Sequence, residues 1–175
     1  DEKKEIIEKI TESGDEGTGE KSILIGTSNG MYIFSSNGNL EKYIQTSSSV
    51  TNILVLDDIT GDKQKEILIT TSDKYFPNVQ VYDPKTGEKI WDFSASMEVY
   101  DMNMLWTRQQ TIPFDVELVQ DVNNNDYRDI AVTSGYNLFL IDGKTGKMLW
   151  EFKGNDNLWD VAILDDLDND NIQDI

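Results

Sequence analysis

The sequence predicts an all-β protein built from short antiparallel strands, and three observations support this fold class. First, runs of four to six residues rich in Ile, Val, Leu, Tyr and Phe alternate with Gly, Asn, Asp and Ser, as in Ile67–Thr71 and Ile130–Ser134. Second, no segment between these runs has the pattern of a crossover helix, so antiparallel pairing is expected. Third, two motifs recur in the same order along the chain, which indicates a repeat architecture.

The beginning of the chain differs in composition from the remainder. Residues 1–21 are expected to form a charged, flexible leader, because hydrophobic residues are few and charges are many. Isoleucines at helical spacing predict a short helix within Glu2–Thr11, and the Gly-rich stretch 14–19 predicts a linker. The repeated strands are expected to occupy residues 22–175.

Composition excludes several classes of function. The chain of 175 residues carries 15 Lys and Arg against 33 Asp and Glu, a formal net charge of −18. Nucleic-acid binding and docking on anionic lipid both need a basic surface, so neither is expected. The absence of Cys and His removes thiol nucleophiles, zinc sites and imidazole acid–base chemistry, whereas metals with oxygen ligands remain compatible. No apolar run is long enough to predict membrane insertion of this segment.

An acidic loop occurs three times, and each copy follows an apolar run. The loops begin at residues 58, 121 and 166, so the intervals are 63 and 45 residues. The shorter interval matches the length of one four-stranded blade of a repeat protein. The longer interval contains an insertion, Met97–Ile112, and a few extra residues near Asp73–Asn78.

Each acidic loop places an oxygen-bearing side chain at positions 1, 3, 5 and 9. Position 4 is Gly or Asn, which tolerate the positive φ needed for a chain to wrap around an ion. Four hard oxygen ligands in a tight loop favour Ca²⁺. The predicted ligands are Asp58, Thr60, Asp62 and Glu66; Asp121, Asn123, Asn125 and Asp129; and Asp166, Asp168, Asp170 and Asp174.

Two other kinds of loop, EF-hands and ordinary polar turns, are also rich in Asp and Asn. An EF-hand would need Gly at position 6, Glu at position 12 and a following helix, but position 12 is Ile69 or Val132 within a predicted strand. Ordinary polar turns would also use Asp and Asn, although turn chemistry does not require oxygen at all four positions in each copy. Affinity is expected to follow the number of carboxylates, so the second loop, with two, is expected to bind most weakly.

A second motif, Asp-x-x-Thr-Gly-x-x-x-Trp, follows the first two acidic loops. It spans Asp83–Trp91 and Asp142–Trp150, and a degenerate copy lies at Asn37–Tyr43. The Asp and Thr-Gly predict a tight hairpin in which Asp caps backbone N–H groups. The Trp is expected to pack against the next blade rather than to stack on a cofactor, because large aromatic side chains dominate such interfaces.

These two motifs together resemble known repeat families. The acidic loops resemble the FG-GAP repeats of integrin α-type β-propellers, and the Trp segments resemble the tryptophan-docking repeats of pyrroloquinoline-quinone-type propellers. The resemblance covers residues 22–175 and implies antiparallel four-stranded propeller blades, with the twelve loop side chains as Ca²⁺ ligands. Thr60 and Glu66 depart from the usual residues of the acidic loop, and no quinone pocket can be assigned.

The sequence accounts for about three blades, fewer than a closed propeller needs. The expected partners are therefore the remaining blades of the parent chain, or blades that partner chains supply. The predicted function is a calcium-binding scaffold or recognition module for a protein or glycan, located outside the cell, at its surface or in the periplasm. The insertion Met97–Ile112 is the candidate contact surface, because it is rich in Met and aromatic residues. The alternative is part of a propeller enzyme, a quinoprotein dehydrogenase or a polysaccharide-active enzyme, although no base is paired with a nucleophile and no carboxylate pair is apparent outside the loops.

Overall fold

The computed structural model describes residues 7–14, 21–73, 78–95, 113–167 and 173–175. These residues form three four-stranded antiparallel sheets, each a simple meander in chain order, and the described part of the chain has no helix. The predicted all-β, blade-like architecture is therefore confirmed. No helix in the described part of the chain has both the length and the hydrophobicity to traverse a lipid bilayer.

Each sheet forms one blade. The first blade comprises β1 (Ile7–Gly14), β2 (Lys21–Thr27), β3 (Gly30–Ser35) and β4 (Leu40–Gln45). The second comprises β5 (Val50–Val55), β6 (Ile67–Thr71), β7 (Val79–Tyr82) and β8 (Lys89–Phe93). The third comprises β9 (Pro113–Val119), β10 (Asp129–Ser134), β11 (Asn137–Ile141) and β12 (Met148–Lys153).

The prediction of a short helix near the start of the chain is wrong for the residues that the structure describes. Residues 7–14 form strand β1, which pairs antiparallel with β2 from Ile7 opposite Thr27 to Gly14 opposite Lys21. Without this partner, the edge of β2 would leave a row of backbone N–H and C=O groups unpaired. Sheet pairing therefore overrides the local helical spacing, and the first blade begins inside the predicted leader. The remainder of the expected helix, before residue 7, lies outside the described residues.

Two hydrophobic clusters join the blades. The cluster between the first and second blades contains Leu24, Met31, Ile33, Ile44, Val50, Ile53, Ile67, Ile69 and Tyr82. The cluster between the second and third blades contains Leu56, Leu68, Val79, Val81, Trp91, Ala95, Val116, Ile130, Val132, Phe139 and Ile141. The middle strands β6, β7 and β10 are buried along their whole length. The two faces of β6 and of β7 contribute to the two different clusters, whereas β10 contacts the second blade on one face and Val161 and Ile163 on the other. Burial between stacked sheets thus supplies the hydrophobic stabilisation of the array.

Trp91 joins the second blade to the third, as the sequence predicted. Its side chain is 9% exposed, and its indole N–H donates to the carbonyl oxygen of Gly143 at 3.2 Å. The ring also lies directly over Gly146, where an added Cβ would approach Trp91 Cε3 to 2.6 Å. The hairpin of the third blade is therefore shaped by glycine to receive the tryptophan of the second.

A β-bulge precedes the docking residue, the residue at the Trp position of the motif, in all three blades. In the second blade, Val81 pairs with Trp91 whereas Tyr82 pairs with Lys89, so one extra residue lies in β8. The same shift separates Trp150 from Met148 in the third blade. A bulge re-aims the side chain next to it, and here it accompanies each docking position.

Lys42 occupies the equivalent position in the first blade, after its own bulge. Its ammonium donates to the carbonyl oxygen of Lys85 at 2.6 Å, and its aliphatic stem approaches Gly87 in the hairpin of the second blade. A lysine can do this because its methylene chain packs like a hydrophobe while its charged end is hydrogen-bonded. The first junction thus uses the same geometry without an aromatic ring.

Trp150 lies on the far face of the third blade. It is 39% exposed and lines a groove with Leu138, Leu140 and Phe152. Val161 and Ile163 pack onto part of this face, and Leu164 N donates to the carbonyl oxygen of Asp174. Residues 161–163, which precede the third acidic loop, therefore lie against the third blade.

Candidate metal centre

The first acidic loop brings its predicted side chains together. Carboxylate oxygens of Asp58, Asp62 and Glu66 all lie within 4.8 Å of one another. The Thr60 hydroxyl donates to Asp58 Oδ1 at 3.4 Å. Since Ca²⁺–oxygen bonds are about 2.3–2.6 Å long, oxygens on opposite sides of one ion are about 5 Å apart. The spacing of the three carboxylates therefore fits a single Ca²⁺ ion.

The backbone of this loop curls around the carboxylate of Asp58. The N–H groups of Gly61 and Asp62 donate to Asp58 Oδ1 at 2.6 and 3.2 Å, and Lys63 N donates to Oδ2 at 2.7 Å. Desolvation acts to raise the pKa of Asp58, but these N–H donors outweigh it and hold that pKa below its usual range. The position-1 carboxylate is consequently kept ionised.

The second loop repeats this geometry. Asp121 accepts hydrogen bonds from Asn125 N at 3.0 Å and from Asp126 N at 2.7 Å, the counterparts of the Asp62 and Lys63 bonds. Positive φ occurs at position 4 in both loops, at Gly61 and Asn124, as the sequence predicted. It occurs also at position 6, at Lys63 and Asp126, which the sequence did not reveal. Two different sequences thus adopt one loop conformation.

The position-9 carboxylate closes all three loops in the same way. It accepts a hydrogen bond from the N–H of position 2 at 2.8 Å: Glu66 from Ile59, Asp129 from Val122, and Asp174 from Leu167. Glu66 leads directly into β6 and Asp129 begins β10, so neither of the first two loops is followed by an EF-hand helix. The repeat detected in the sequence therefore corresponds to one repeated hydrogen-bond pattern.

Burial imposes a cost on the charged form of two of these carboxylates. Glu66 is 1% exposed and Asp129 is 0% exposed. Burial raises the pKa of Glu66, and it raises the pKa of Asp129 with a further contribution from the negative charges of Asp142 and Asp121. A divalent cation in the loop would offset this cost, because an opposite charge within a few ångströms favours the ionised form.

The second loop also contains an unsatisfied oxygen. Asn123 Oδ1 is buried and has no hydrogen-bond partner among the described residues. Leaving a buried acceptor unpaired costs about 1–3 kcal/mol. A cation coordinated by this oxygen would remove that cost, so the oxygen ligands of the second loop also fit Ca²⁺.

The third loop is only partly described. Asp166 and Asp174 lie within the described residues, and Asp174 makes the closing bond to Leu167. Asp168 and Asp170 lie outside them, as does the insertion 97–112 that the sequence analysis offered as a contact surface.

An ion pair links the first loop to the second across the blade junction. The Arg128 guanidinium donates to both carboxylate oxygens of Asp57, at 2.8 and 2.9 Å. This hydrogen-bonded charge outweighs desolvation and holds the pKa of Asp57 below its usual range. Neither Asp57 nor Arg128 is a predicted calcium ligand. The sequence did not reveal their pairing, because it depends on how consecutive blades stack.

One carboxylate pair lies outside the loops, contrary to the sequence analysis. The carboxylates of Asp115 and Asp160 share a donor, because Val161 N lies 3.2 Å from Asp115 Oδ2 and 3.1 Å from Asp160 Oδ1. Burial and the neighbouring Asp160 together raise the pKa of Asp115. The two residues stand six positions before the second and third acidic loops, so the repeat itself was the signal that could have revealed the pair.

Comparison with known proteins supports the fold and leaves the repeat families open. No protein-family model matches the chain, and no curated protein matches it. Among solved structures, BBS1N in complex with ARL6DN matches in crystals soaked with mercury and with lead, at TM-scores of 0.61 and 0.66 and 12% identity. These matches cover 89% and 91% of this chain but 39% and 47% of the BBS1N chains. The computationally designed Ika8 protein matches at a TM-score of 0.55 and 13% identity, over 90% of this chain and 41% of that one.

The fold and the comparisons together define this chain as an array of propeller-like blades. It spans less than half the length of the solved structures that it matches. The resemblance to FG-GAP and quinone-type repeats remains a prediction from the motifs.

Proposed function

We propose that this chain is part of a calcium-stabilised β-propeller that binds a protein or glycan partner outside the cytosol. The observation that carries the proposal is the first acidic loop, in which Asp58, Asp62 and Glu66 converge within 4.8 Å. A bound Ca²⁺ ion would supply positive charge and fix the turn that leads into β6. The proposed calcium ligands are Asp121, Asn123, Asn125 and Asp129 in the second loop, and Asp166, Asp168, Asp170 and Asp174 in the third.

The ligand chemistry of the loops supports the proposed location. Sites with few carboxylates on short loops bind calcium at about 10⁻⁴–10⁻³ M in extracellular modules, a range that extracellular calcium fills. The first loop offers three carboxylates, the second two and the third four. Calcium ions bound in two or three of these loops would reduce the net charge of −18 and the repulsion between neighbouring blades.

The partner is proposed from the fold and the comparison. One solved neighbour, BBS1N, is a propeller-like chain crystallised in complex with ARL6DN, which supports protein binding as a use of this architecture. The insertion 97–112 interrupts the repeat and is the segment proposed to contact the partner.

Calcium is expected to raise the thermal unfolding midpoint of the protein. For a site with a dissociation constant of about 0.1 mM, 10 mM Ca²⁺ contributes about 2.7 kcal/mol, which corresponds to about 5–10 °C for a chain of this size. The measurement compares CaCl₂ with EDTA, for the unaltered protein and for Asp62→Asn with Glu66→Gln. These substitutions keep the shapes of the side chains but remove two ligand charges.

The matched control is Asp92→Asn, which removes a surface carboxylate paired with Lys89 in the same blade. This variant should keep the full calcium response, whereas the loop variant should lose part of it. An unfolding midpoint that is the same in calcium and in EDTA would contradict the proposal, as would an equal response in all three proteins.

A further inference from the structure

Asp142 belongs to the Trp motif of the third blade and not to an acidic loop, but its side chain contacts the second acidic loop. It lies at the end of β11, at the start of the Trp-motif hairpin, and is 8% exposed. Its Oδ1 accepts a hydrogen bond from Thr145 N at 2.8 Å, which closes the hairpin. Its Oδ2 accepts two further bonds, from Asn123 Nδ2 at 2.7 Å and from Asn125 Nδ2 at 2.9 Å.

These two bonds decide which way the amide groups face. Since the Nδ2 atoms of Asn123 and Asn125 are directed to Asp142, the planar amides turn their Oδ1 atoms away from it. Asn125 Oδ1 accepts from Tyr127 N at 3.0 Å, as Asp62 Oδ1 accepts from Gln64 N in the first loop. Asn123 Oδ1 is the buried oxygen that has no partner among the described residues.

We infer that Asp142 is a positioning residue for a calcium ion in the second loop. It holds the amides at positions 3 and 5 so that their oxygens, and not their N–H groups, are available to the ion. Partners behind the ligands commonly orient them in metal sites, and their loss costs about 10- to 100-fold in affinity. This inference rests on the proposed function, because it assumes that the loops bind calcium.

The first loop explains why only the second needs such a residue. Its ligands at positions 3 and 5 are Thr60 and Asp62, and a hydroxyl or carboxylate presents oxygen in any rotamer. Asp83, the counterpart of Asp142, uses its oxygens within its own hairpin, accepting from Lys85 N, Thr86 N and Thr86 Oγ1. An amide can present either oxygen or N–H, so the loop that uses amides is the one that has the additional carboxylate.

The test follows calcium binding to each loop separately. A ¹H–¹⁵N NMR titration with CaCl₂ reports on the first loop through the amides of Gly61 and Lys63, and on the second through those of Val122 and Asp126. The variant Asp142→Asn keeps an acceptor for Thr145 N, but its own amide N–H group then faces the side-chain N–H groups of Asn123 and Asn125. The matched control is Asp83→Asn, which alters the equivalent hairpin but removes no direct hydrogen bond to a loop ligand among the described residues.

In Asp142→Asn, the dissociation constant of the second loop should rise at least tenfold while that of the first loop changes less than twofold. Asp83→Asn should leave both within twofold. Adding Asn123→Asp to Asp142→Asn exchanges donor and acceptor across the same contact, and it should restore binding at the second loop. Because Asn123→Asp also adds a ligand charge, the single variant Asn123→Asp is measured beside the double variant. A coupling between the two substitutions would show that the effect is one of orientation and not of damage to the hairpin.

Three outcomes would overturn the inference. One is unchanged calcium affinity at the second loop in Asp142→Asn, even if that variant is less stable. Another is calcium binding at the first loop of the unaltered protein with none at the second, which leaves the proposed function standing. The third is absence of binding at both loops, which overturns the proposed function as well.

Discussion

Replacing Trp91 with alanine should lower the free energy of unfolding by about 3–5 kcal/mol, the usual cost of removing a large buried aromatic side chain. Trp91 is 9% exposed, donates to the Gly143 carbonyl oxygen and fills the space over Gly146 at the junction of two blades. Since whole domains are stable by only about 5–15 kcal/mol, a loss of this size would unfold much of the protein at moderate urea concentrations.

The matched control is Trp150→Ala, at the equivalent place on the third blade. Trp150 is 39% exposed, so its removal should cost about 1 kcal/mol. Urea unfolding followed by circular dichroism measures both variants. Equal losses in the two would contradict the assignment of Trp91 as the residue that joins the blades.

Replacing Gly146 with alanine should cost about 2–5 kcal/mol, for two separable reasons. Its φ of +69° is unfavourable for any residue with a Cβ, at about 1–2 kcal/mol. The new Cβ would also approach Trp91 Cε3 to 2.6 Å, and overpacking of this kind costs about 1–3 kcal/mol. Gly38 has a φ of +84° and no atom within 4 Å of such a Cβ, so Gly38→Ala should show the backbone cost alone.

A double-mutant cycle separates the two terms. In the Trp91→Ala background the steric term is absent, so Gly146→Ala should then cost about as much as Gly38→Ala. Urea unfolding of the four proteins in the cycle gives the coupling energy between Trp91 and Gly146. A coupling near zero would contradict the contact between the tryptophan and the hairpin.

The sequence predicted the elements that depend on local pattern. Alternating apolar runs between turn residues gave the strands of the second and third blades, and the Thr-Gly turns gave their hairpins. The oxygen spacing in the acidic loops was sufficient to predict that Asp58, Asp62 and Glu66 converge. The glycine or asparagine at position 4 does have positive φ in the two fully described loops. These features are predictable because each is determined within about ten residues of chain.

Several features that depend on two distant segments were not predicted from the sequence. The strand β1 exists because β2 needs an edge partner, although its residues have helical spacing. The contacts of Asp142 with Asn123 and Asn125 depend on how the hairpin folds over the loop, and Asp142 was assigned only the capping of its own hairpin. The pair Asp57 and Arg128 and the pair Asp115 and Asp160 each join residues of successive repeats.

The central claim, that the acidic loops bind calcium, is tested most directly by a crystal structure of the protein grown with CaCl₂. Anomalous scattering should place one calcium ion in the first loop, about 2.3–2.6 Å from oxygens of Asp58, Asp62 and Glu66. Lys85 Nζ lies 3.8 Å from Asp62 Oδ2 and provides the competing source of positive charge. A loop that held no ion at millimolar calcium, with the Lys85 ammonium or water among its carboxylates, would contradict the account.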